Sequence, residues 1–264
     1  MHFTVSIYEG KVGGNMIFDT HAHYDDEAFD DDREQILERM RNRGVEYIVN
    51  VGASIHSCKT YVYGALGVHP DDVADLTEED YEWLERSVYK PKIVAVGEIG
   101  LDYHWNENKD QQIKAFERQM QIAREAQLPI IIHSRDAAKD TVDLMQEHHA
   151  GEIGGIVHCY SYSVELARTF LDMGFYFGIG GVVTFSNARK LQEVVEYMPM
   201  DKMVIETDCP YMSPVPNRGK RNDSFNLPYV VNKIAEIKGI SPTEVIDITC
   251  ENAKNVYGIG RKRI

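Results

Sequence analysis

Histidine and carboxylate side chains follow several short apolar segments of this chain. His21 and His23 close the first such segment, and Glu98, His133 and His158 close three later ones. Imidazole and carboxylate groups bind divalent cations such as Zn²⁺, Mn²⁺ and Mg²⁺, and both also transfer protons in hydrolytic reactions. These residue types therefore predict metal-dependent hydrolysis, provided that the fold brings the distant positions together.

The spacing of His21 and His23 fits a shared cation. Side chains two residues apart lie on the same face of a strand, so both rings can reach one ion. A pair with this spacing also occurs at surfaces and in structural settings. Its place directly after the apolar run 16–20 favours metal binding.

The other candidate positions have structural alternatives. Glu98 could form a buried ion pair with an arginine, because a carboxylate needs a neutralising partner away from water. A single histidine after a strand is more often a hydrogen-bonded core residue than a ligand. Because His133 and His158 take equivalent positions after neighbouring strands, we favour metal binding for both.

Two acidic residues lie at the end of the last apolar run. We predict that Asp208 binds metal and takes the proton of the attacking water. Glu206 lies on the same face and one layer deeper, where it would orient the ligands. A Glu206 that only bonds core backbone is an equally open alternative. Cys159 and Cys209 directly follow predicted ligands, so the two-residue period predicts thiols that pack away from the site.

The predicted ligand set holds imidazoles and carboxylates but no thiolate. It therefore suits Zn²⁺, Mn²⁺, Mg²⁺, iron or cobalt and argues against a structural zinc cluster. Six ligands are more than one catalytic zinc accepts, so we predict two divalent cations that share Glu98. The predicted metal ligands are His21, His23, Glu98, His133, His158 and Asp208, of which Glu98 and Asp208 are also assigned to catalysis.

Eight strand-like runs that alternate with helical segments would position these residues. The runs are rich in Val and Ile, as in parallel strands that helices cover on both faces. They span 16–20, 45–51, 64–68, 93–98, 130–133, 155–158, 175–178 and 203–207. Apolar residues spaced three and four apart predict helices that include 30–42, 111–127 and 163–173, with Gly44 and Gly174 at C-caps.

This repeat predicts an α/β fold, a single-domain (β/α)8 TIM barrel with its active site at the carboxyl ends of the strands. A doubly wound sheet is the alternative, which eight unbroken repeats disfavour. The crossover between Val51 and Gly64 has only twelve residues, so its helix is about two turns long or part of the natural chain is absent. We expect the barrel over 16–264 and an N-terminal extension or added leader, without signal-peptide features, over 1–15.

Composition and charge exclude some function classes. The 264 residues carry a formal net charge of −14. This charge opposes non-specific binding of duplex DNA through a basic face, but it allows a nucleic acid held by metals and local cations. No run of about 18 apolar residues occurs, so we expect no membrane span. The four scattered cysteines predict reduced thiols in a cytoplasmic protein rather than a disulfide framework.

Over about 16–257 the chain resembles the TatD family of metal-dependent deoxyribonucleases, which are amidohydrolase-like barrels. Five motifs in this order carry the resemblance, and together they are highly specific. They are residues 18–23 (FDTHAH), 67–70 (GVHP), 96–103 (VGEIGLDY), 129–136 (PIIIHSRD) and 206–211 (ETDCPY).

The resemblance implies the same metal site and adds an activity. It implies one ion at His21 and His23, a second at His133 and His158, Glu98 as the bridge, and Asp208 completing the site. It also implies hydrolysis of DNA phosphodiester bonds, often from a 3′ end, supported by Mg²⁺ or Mn²⁺. The expected partner is DNA, single-stranded or at its 3′ ends, with no membrane and no obligate protein partner.

Two groups of residues after strand ends could contact such a substrate. Basic groups suited to phosphate oxygens are His69, Arg135, Arg218, Lys220 and Arg221. Aromatic rings suited to unpaired bases are Tyr103, Tyr160 and Tyr211, and Asp102 is assigned to substrate contact or ligand orientation. The alternatives are a solvated loop over 216–222, simple packing of the tyrosines at the rim, and pairing of Arg135 with Asp136 or another acid.

Two other functions stay open from the sequence. The same barrel could hydrolyse another ester or an amide, such as a lactone or the ester of an aminoacyl-tRNA, because activated water attacks carbonyl carbon as well as phosphorus. The second alternative is a non-catalytic scaffold that keeps its ions. The intact predicted ligand set argues against that scaffold.

Overall fold

A computed structural model describes residues 16–52, 62–105 and 108–260. Eight strands form one sheet in the order β1 to β8, and each strand pairs in parallel with the next. They are β1 Ile17–Ala22, β2 Val45–Val51, β3 Val62–Leu66, β4 Ile93–Asp102, β5 Ile130–Arg135, β6 Gly155–Val157, β7 Tyr176–Ile179 and β8 Met203–Ile205. The segment 1–15 and most of the short crossover, residues 53–61, lie outside the described residues.

The first strand meets the segment after the last one, and this contact brings the two ends of the sheet together. The Asp208 N–H donates to the His21 carbonyl and the His23 N–H donates to the Cys209 carbonyl, each at 2.9 Å. Ala22 and Cys209 form a parallel bridge. The predicted (β/α)8 barrel is therefore confirmed, and its closing contact lies beside the predicted ligands.

Helices follow the strands and cover the outside of the barrel. They are α1 Arg33–Met40, α2 Glu78–Ser87, α3 Lys109–Ala126, α4 Ala138–Glu147, α5 Val164–Asp172, α6 Arg189–Tyr197, α7 Leu227–Lys238 and α8 Pro242–Tyr257. The predicted helix 30–42 is shorter in the structure, whereas α3 and α5 match their predictions closely. Gly44 and Gly174 both have φ +85°, as expected after a helix end. No helix in the described ranges combines the length and apolar character needed to cross a bilayer.

Several strand ends differ from the predicted ones. We predicted that one strand ends at Glu98, but β4 continues to Asp102 because Gly100 and Asp102 pair with His133 and Arg135 of β5. The register between β4 and β5 shifts between Val96 and Ile99, which is where Glu98 lies. Glu98 is therefore an interior residue of a long strand, at an irregularity that turns its side chain into the barrel mouth.

Gly100 lets β4 approach β5 closely beside His133. A Cβ at Gly100 would lie 1.9 Å from the His133 carbonyl oxygen, and its φ is +144°. We expect Gly100→Ala to lower the free energy of unfolding by about 3 kcal/mol, from steric overlap plus backbone strain. Gly154→Ala is the control, because Gly154 has φ +73° with nothing within 4 Å and should lose about 1 kcal/mol. Equal losses in equilibrium denaturant unfolding would contradict this reading of Gly100.

Candidate metal centre

The first group of predicted ligands lies at the end of β1. His21 Nε2 and His23 Nε2 are 3.1 Å apart, and His23 Nε2 is 3.3 Å from Asp208 Oδ1. His23 Nδ1 is 3.0 Å from the Val51 carbonyl oxygen, so this nitrogen donates a proton and leaves Nε2 as an acceptor. Two imidazoles and one carboxylate thus face one point, as a cation site requires.

Glu98 lies between the remaining histidines. Its Oε2 is 3.4 Å from His21 Nε2, whereas its Oε1 is 2.7 Å from His133 Nδ1 and 3.6 Å from His158 Nε2. The two oxygens therefore face different imidazoles, so Glu98 contacts predicted ligands on both sides of the cluster. In the described part of the chain, the ion pairs of Glu98 are all to histidines, so the alternative of an arginine partner has no support.

His69 joins this cluster more closely than we predicted. Its Nε2 is 3.3 Å from His133 Nδ1, and one ligand atom from each of His69, Glu98 and His133 lies within 4.8 Å of the others. His158 instead groups with His21 and Glu98, and its Nε2 is 3.7 Å from Asp208 Oδ1. We assigned His69 to phosphate contact; the structure places its ring directly beside a predicted ligand.

The donor set fits divalent cations. Imidazole nitrogens and carboxylate oxygens make up the groups around Glu98 and around His23, and hard or borderline cations prefer these atoms. The rings of His21 and His158 stack with centroids 3.6 Å apart. Two carboxylates, Glu98 and Asp208, meet these rings within 4 Å. Nitrogen and oxygen atoms are expected to lie this close together where a bound cation, rather than hydrogen bonds, would satisfy them.

Two further carboxylates, those of Glu206 and Asp102, lie behind the predicted histidine ligands. Glu206 is fully buried, and its Oε1 is 3.1 Å from His158 Nδ1 and accepts from the Cys159 N–H at 2.6 Å. A Cβ at Gly178 would lie 2.1 Å from Glu206 Oε2, so this glycine makes room for the carboxylate. The bond from Glu206 to backbone is therefore present, and its carboxylate also lies within ion-pair distance of His158, where the predicted ligand orientation would require it.

Asp102 contacts His133, the predicted ligand on β5. Its Oδ2 is 2.9 Å from His133 Nε2, and its Oδ1 accepts from the His104 N–H at 2.9 Å. Arg135 lies near, with Nη1 4.0 Å from the same Asp102 oxygen. This Asp102 contact fixes the ring of His133 with Nδ1 towards Glu98.

Charges within the cluster favour ionised acids. Burial opposes ionisation of Glu98, but the imidazoles of His158, His21 and His133 outweigh it and hold the pKa well below the usual value. Burial also opposes ionisation of Asp208, but nearby imidazoles, chiefly that of His158, outweigh it and lower the pKa of this acid. Burial works against charged imidazoles, yet the nearby carboxylates raise the pKa of His133 to about 9 and that of His158 to about 10.

Sequence reasoning missed a buried network directly beneath His21. Asp19 accepts from the hydroxyls of Thr207 (2.7 Å) and Ser224 (2.6 Å) and from the backbone N–H of His21 (3.3 Å). Burial raises its pKa to about 7, although these hydrogen bonds oppose the shift. The available clue was an acid inside a buried apolar strand, which needs several donors to be stable there.

Some predicted substrate residues are placed elsewhere. Tyr160 is only 2% exposed, and its ring packs in the core against Phe177, so it cannot receive a base and this prediction is wrong. Both terminal nitrogens of the Arg221 guanidinium donate to the Asp32 carboxylate, so this side chain is already paired within the protein. Tyr103 lies beneath the Lys109 ammonium, 4.1 Å from the ring centroid.

The predicted orientation of Cys159 is also wrong. Its sulfur and the ligand atoms of His158 and Asp208 lie within 4.8 Å of one another. β6 ends at Val157, and Cys159 has φ +43°, so the alternation of a strand no longer applies. Cys209, in contrast, is fully buried as predicted.

The chain is similar to known proteins along almost its whole length. The family described as TatD related DNase matches residues 18–258. The uncharacterized metal-dependent hydrolase YabD of Bacillus subtilis strain 168 is 45% identical over 254 residues, which are 92% of this chain and all of that protein. The 3′-5′ ssDNA/RNA exonuclease TatD of a Rahnella strain is 30% identical, with 89% of this chain and 95% of that protein covered. The structure of YjjV, a TatD homologue from Escherichia coli K12, superposes with a TM-score of 0.86 at 27% identity, with 92% and 98% of the two chains covered. The chain therefore belongs to the TatD related DNase family.

Proposed function

We propose that this protein is a metal-dependent hydrolase that removes nucleotides from the 3′ end of single-stranded DNA. The observation that carries the proposal is Glu98, a buried carboxylate whose two oxygens face imidazoles from β1, β5 and the end of β6. The name of the Rahnella relative, a 3′-5′ exonuclease of single strands, supports this choice of substrate.

Two divalent cations, Mg²⁺, Mn²⁺ or Zn²⁺, are the proposed cofactors. The residues that would hold them are His21, His23, Glu98, His133, His158 and Asp208. When bound, such a pair lowers the pKa of a water molecule to about 7 and neutralises charge on the phosphate oxygens.

Asp208 is the proposed proton acceptor. Its side chain is 15% exposed, against 7% for Glu98, so it is the more accessible of the two carboxylates. A water proton passes to Asp208 as the water oxygen attacks phosphorus and the P–O3′ bond breaks. Asp208 then gives this proton to the leaving 3′ oxygen, and a nucleoside 5′-monophosphate is released.

Two partly exposed basic side chains would position the phosphate. The His69 ring is 28% exposed and lies beside His133, while the Arg135 side chain is 51% exposed beside Asp102. A guanidinium binds phosphate oxygens through two parallel hydrogen bonds, which orients the phosphate as well as attracting it. The Arg135 guanidinium therefore suits a phosphodiester better than a neutral amide, and the His69 ring would contact the phosphate as a neutral hydrogen-bond donor, because its Nδ1 accepts from the Asp71 N–H.

Hydrolysis of end-labelled single-stranded DNA tests the proposal. The assay compares Mg²⁺, Mn²⁺ and Zn²⁺ after removal of bound metal, with lactones and aminoacyl esters as rival substrates. We expect stepwise shortening from the 3′ end with at least one metal. Intact DNA under all three metals, together with turnover of an ester, would replace the nuclease by another hydrolase. No turnover of any substrate would favour the scaffold.

Asp102 is expected to matter through His133. Asp102→Asn should weaken Mn²⁺ binding about 10- to 100-fold, because a partner behind a metal-binding histidine typically has an effect of that size. Asp136→Asn is the matched control, since the ion pair of Asp136 among the described residues is with the partly exposed His104 ring, and it should change affinity less than about twofold. Calorimetric titration measures both variants, and equal affinities would remove Asp102 from this role.

Metal uptake should release protons near neutral pH. The pKa values of about 9 for His133 and about 10 for His158 mean that both rings carry protons there, and a ligating ring must lose one. Affinity should therefore rise with pH from about 6 to 9 and fall on acidification. Titration calorimetry in buffers of different ionisation enthalpy counts the protons, with His148→Gln as a control at a histidine outside the cluster. Heat that does not depend on the buffer would contradict this expectation.

A further inference from the structure

Two large aromatic side chains stand exposed shortly after β4 and β8, each three residues beyond a carboxylate of the site. Trp105 is 67% exposed and Tyr211 is 55% exposed. Trp105 follows Asp102 by three residues, and Tyr211 follows Asp208 by three residues. β4 and β8 are four positions apart in the eight-stranded order, so they lie on opposite sides of the barrel mouth.

The Tyr211 ring is held in place although it is exposed. The Tyr211 N–H donates to the Asp208 carbonyl at 2.9 Å, and its hydroxyl donates to Asp26 Oδ2 at 2.9 Å. A ring fixed in this way loses little conformational freedom when another aromatic group stacks on it.

The residue before Trp105, His104, is held by two carboxylates. The His104 N–H donates to Asp102 Oδ1 at 2.9 Å, and its Nδ1 is 3.1 Å from Asp136 Oδ2. The His104 ring meets the Trp105 indole edge-on, with ring centroids 4.8 Å apart. The indole is therefore in contact with the ring of a residue that is itself held by two carboxylates, while 67% of Trp105 remains exposed.

Among the other exposed aromatic rings of the described chain, Trp83 and Tyr197 lie beneath cations, whereas Tyr89 has no such cation but precedes β4, at the end of the strand away from the mouth. Lys90 lies over Trp83 at 5.7 Å and Arg168 lies over Tyr197 at 5.2 Å, whereas no such cation lies over Trp105 or Tyr211 in the described residues. Trp83 and Tyr197 also belong to the outer helices α2 and α6.

Because the protein is negatively charged as a whole, a single-stranded DNA substrate must be bound through short-range contacts rather than long-range attraction. With a formal net charge of −14, the chain repels a polyanion as a whole. Stacking of bases on aromatic rings does not depend on charge, and it accepts every base because each base has a flat face. It needs unpaired bases, since those of a duplex are already stacked on one another.

We propose that Trp105 and Tyr211 are stacking platforms for two bases of a single-stranded DNA substrate, one on each side of the scissile phosphate. The strand then crosses the mouth from the β4 side to the β8 side, over the histidine–carboxylate cluster. This inference rests on the proposed function and adds to it how the substrate is recognised.

Tryptophan fluorescence reports the contact directly, because the chain has two tryptophans. Trp83→Phe leaves Trp105 as the reporter, and Trp105→Phe leaves Trp83 as the matched control. The probes are an oligothymidylate of about ten nucleotides and an abasic deoxyribose-phosphate strand of the same length, with Ca²⁺ as the cation. We expect oligothymidylate to quench Trp105 and not Trp83, and the abasic strand to quench neither. Quenching by both strands, or by neither, would overturn the stacking role of Trp105.

Kinetics tests both platforms. Trp105→Ala and Tyr211→Ala should each raise KM for single-stranded DNA about tenfold, with kcat changed less than about twofold. Tyr211→Phe keeps the ring but loses the bond to Asp26, so its KM should lie between those of the wild type and Tyr211→Ala. Tyr89→Ala removes a ring that is 65% exposed before β4, at the opposite end of the strand, and should change neither constant.

The outcomes separate this inference from the proposed function. If the wild-type protein cleaves DNA but both alanine variants keep its KM, the platforms are wrong and the nuclease stands. If the wild-type protein cleaves no DNA with Mg²⁺, Mn²⁺ or Zn²⁺, the nuclease is wrong, and the fluorescence experiment then decides whether the mouth binds single strands at all.

Discussion

Asp208→Asn is expected to lower kcat for hydrolysis of single-stranded DNA by about 10³-fold. General base catalysis contributes about 10²- to 10⁴-fold, and an amide cannot accept the proton. The variant also weakens a ligand, because Asp208 Oδ1 is 3.3 Å from His23 Nε2 and 3.7 Å from His158 Nε2. Single-turnover rates at saturating Mn²⁺ measure the loss of the proton acceptor apart from the loss of affinity.

The control for this substitution is Asp201→Asn. Asp201 is an exposed acid shortly before β8, so the same chemical change should leave kcat within about twofold. Circular dichroism and thermal unfolding check that both variants fold. An Asp208→Asn protein with at least a tenth of the wild-type kcat at saturating metal would remove Asp208 from proton transfer.

Glu98→Gln is expected to have the largest effect, because it alters both proposed ion sites at once. The amide replaces one of the two oxygens that face His21 on one side and His133 and His158 on the other. We expect metal content to fall from about two ions per chain to one or none, and kcat/KM to fall about 10⁴-fold. Elemental analysis of protein freed from unbound metal gives the ion content.

Glu125→Gln is the matched control for Glu98→Gln, since Glu125 is exposed on α3 and far from the cluster in the chain. Its metal content and kcat/KM should equal those of the wild type. A Glu98→Gln protein that keeps both ions would show that Glu98 does not bridge them.

The positions of the proposed ligands could be predicted from sequence because of how a parallel barrel is built. Short Val- and Ile-rich runs locate the strands, and the carboxyl ends of parallel strands meet at one rim. Six polar residues at or just beyond such runs therefore had to converge, wherever the runs ended. The predicted convergence at the rim therefore does not depend on the exact strand length, and β4 in fact extends beyond Glu98 to Asp102.

The contacts between individual ligand side chains could not be predicted in the same way. The approach of His69 to His133 at 3.3 Å depends on the path of the loop after β3. The position of Glu98 depends on a register irregularity between β4 and β5. Neither feature leaves a periodic pattern in the sequence.

Side chains beyond the strand ends were predicted least well. The two-residue period predicts orientation only while the backbone is extended, and Cys159, with φ +43°, lies where it is not. Tyr160 follows this turn and packs into the core instead of the mouth. Arg221 has a charge suited to phosphate, but Asp32 lies close in space and far in sequence, and the two form an ion pair.

Anomalous diffraction from crystals soaked in Mn²⁺ tests the central claim most directly. We predict two peaks at the mouth of the barrel, both next to Glu98, one bordered by His21 and His23 and the other by His133. A single peak away from Glu98, or no peak in crystals of protein that hydrolyses DNA with Mn²⁺, would contradict the account.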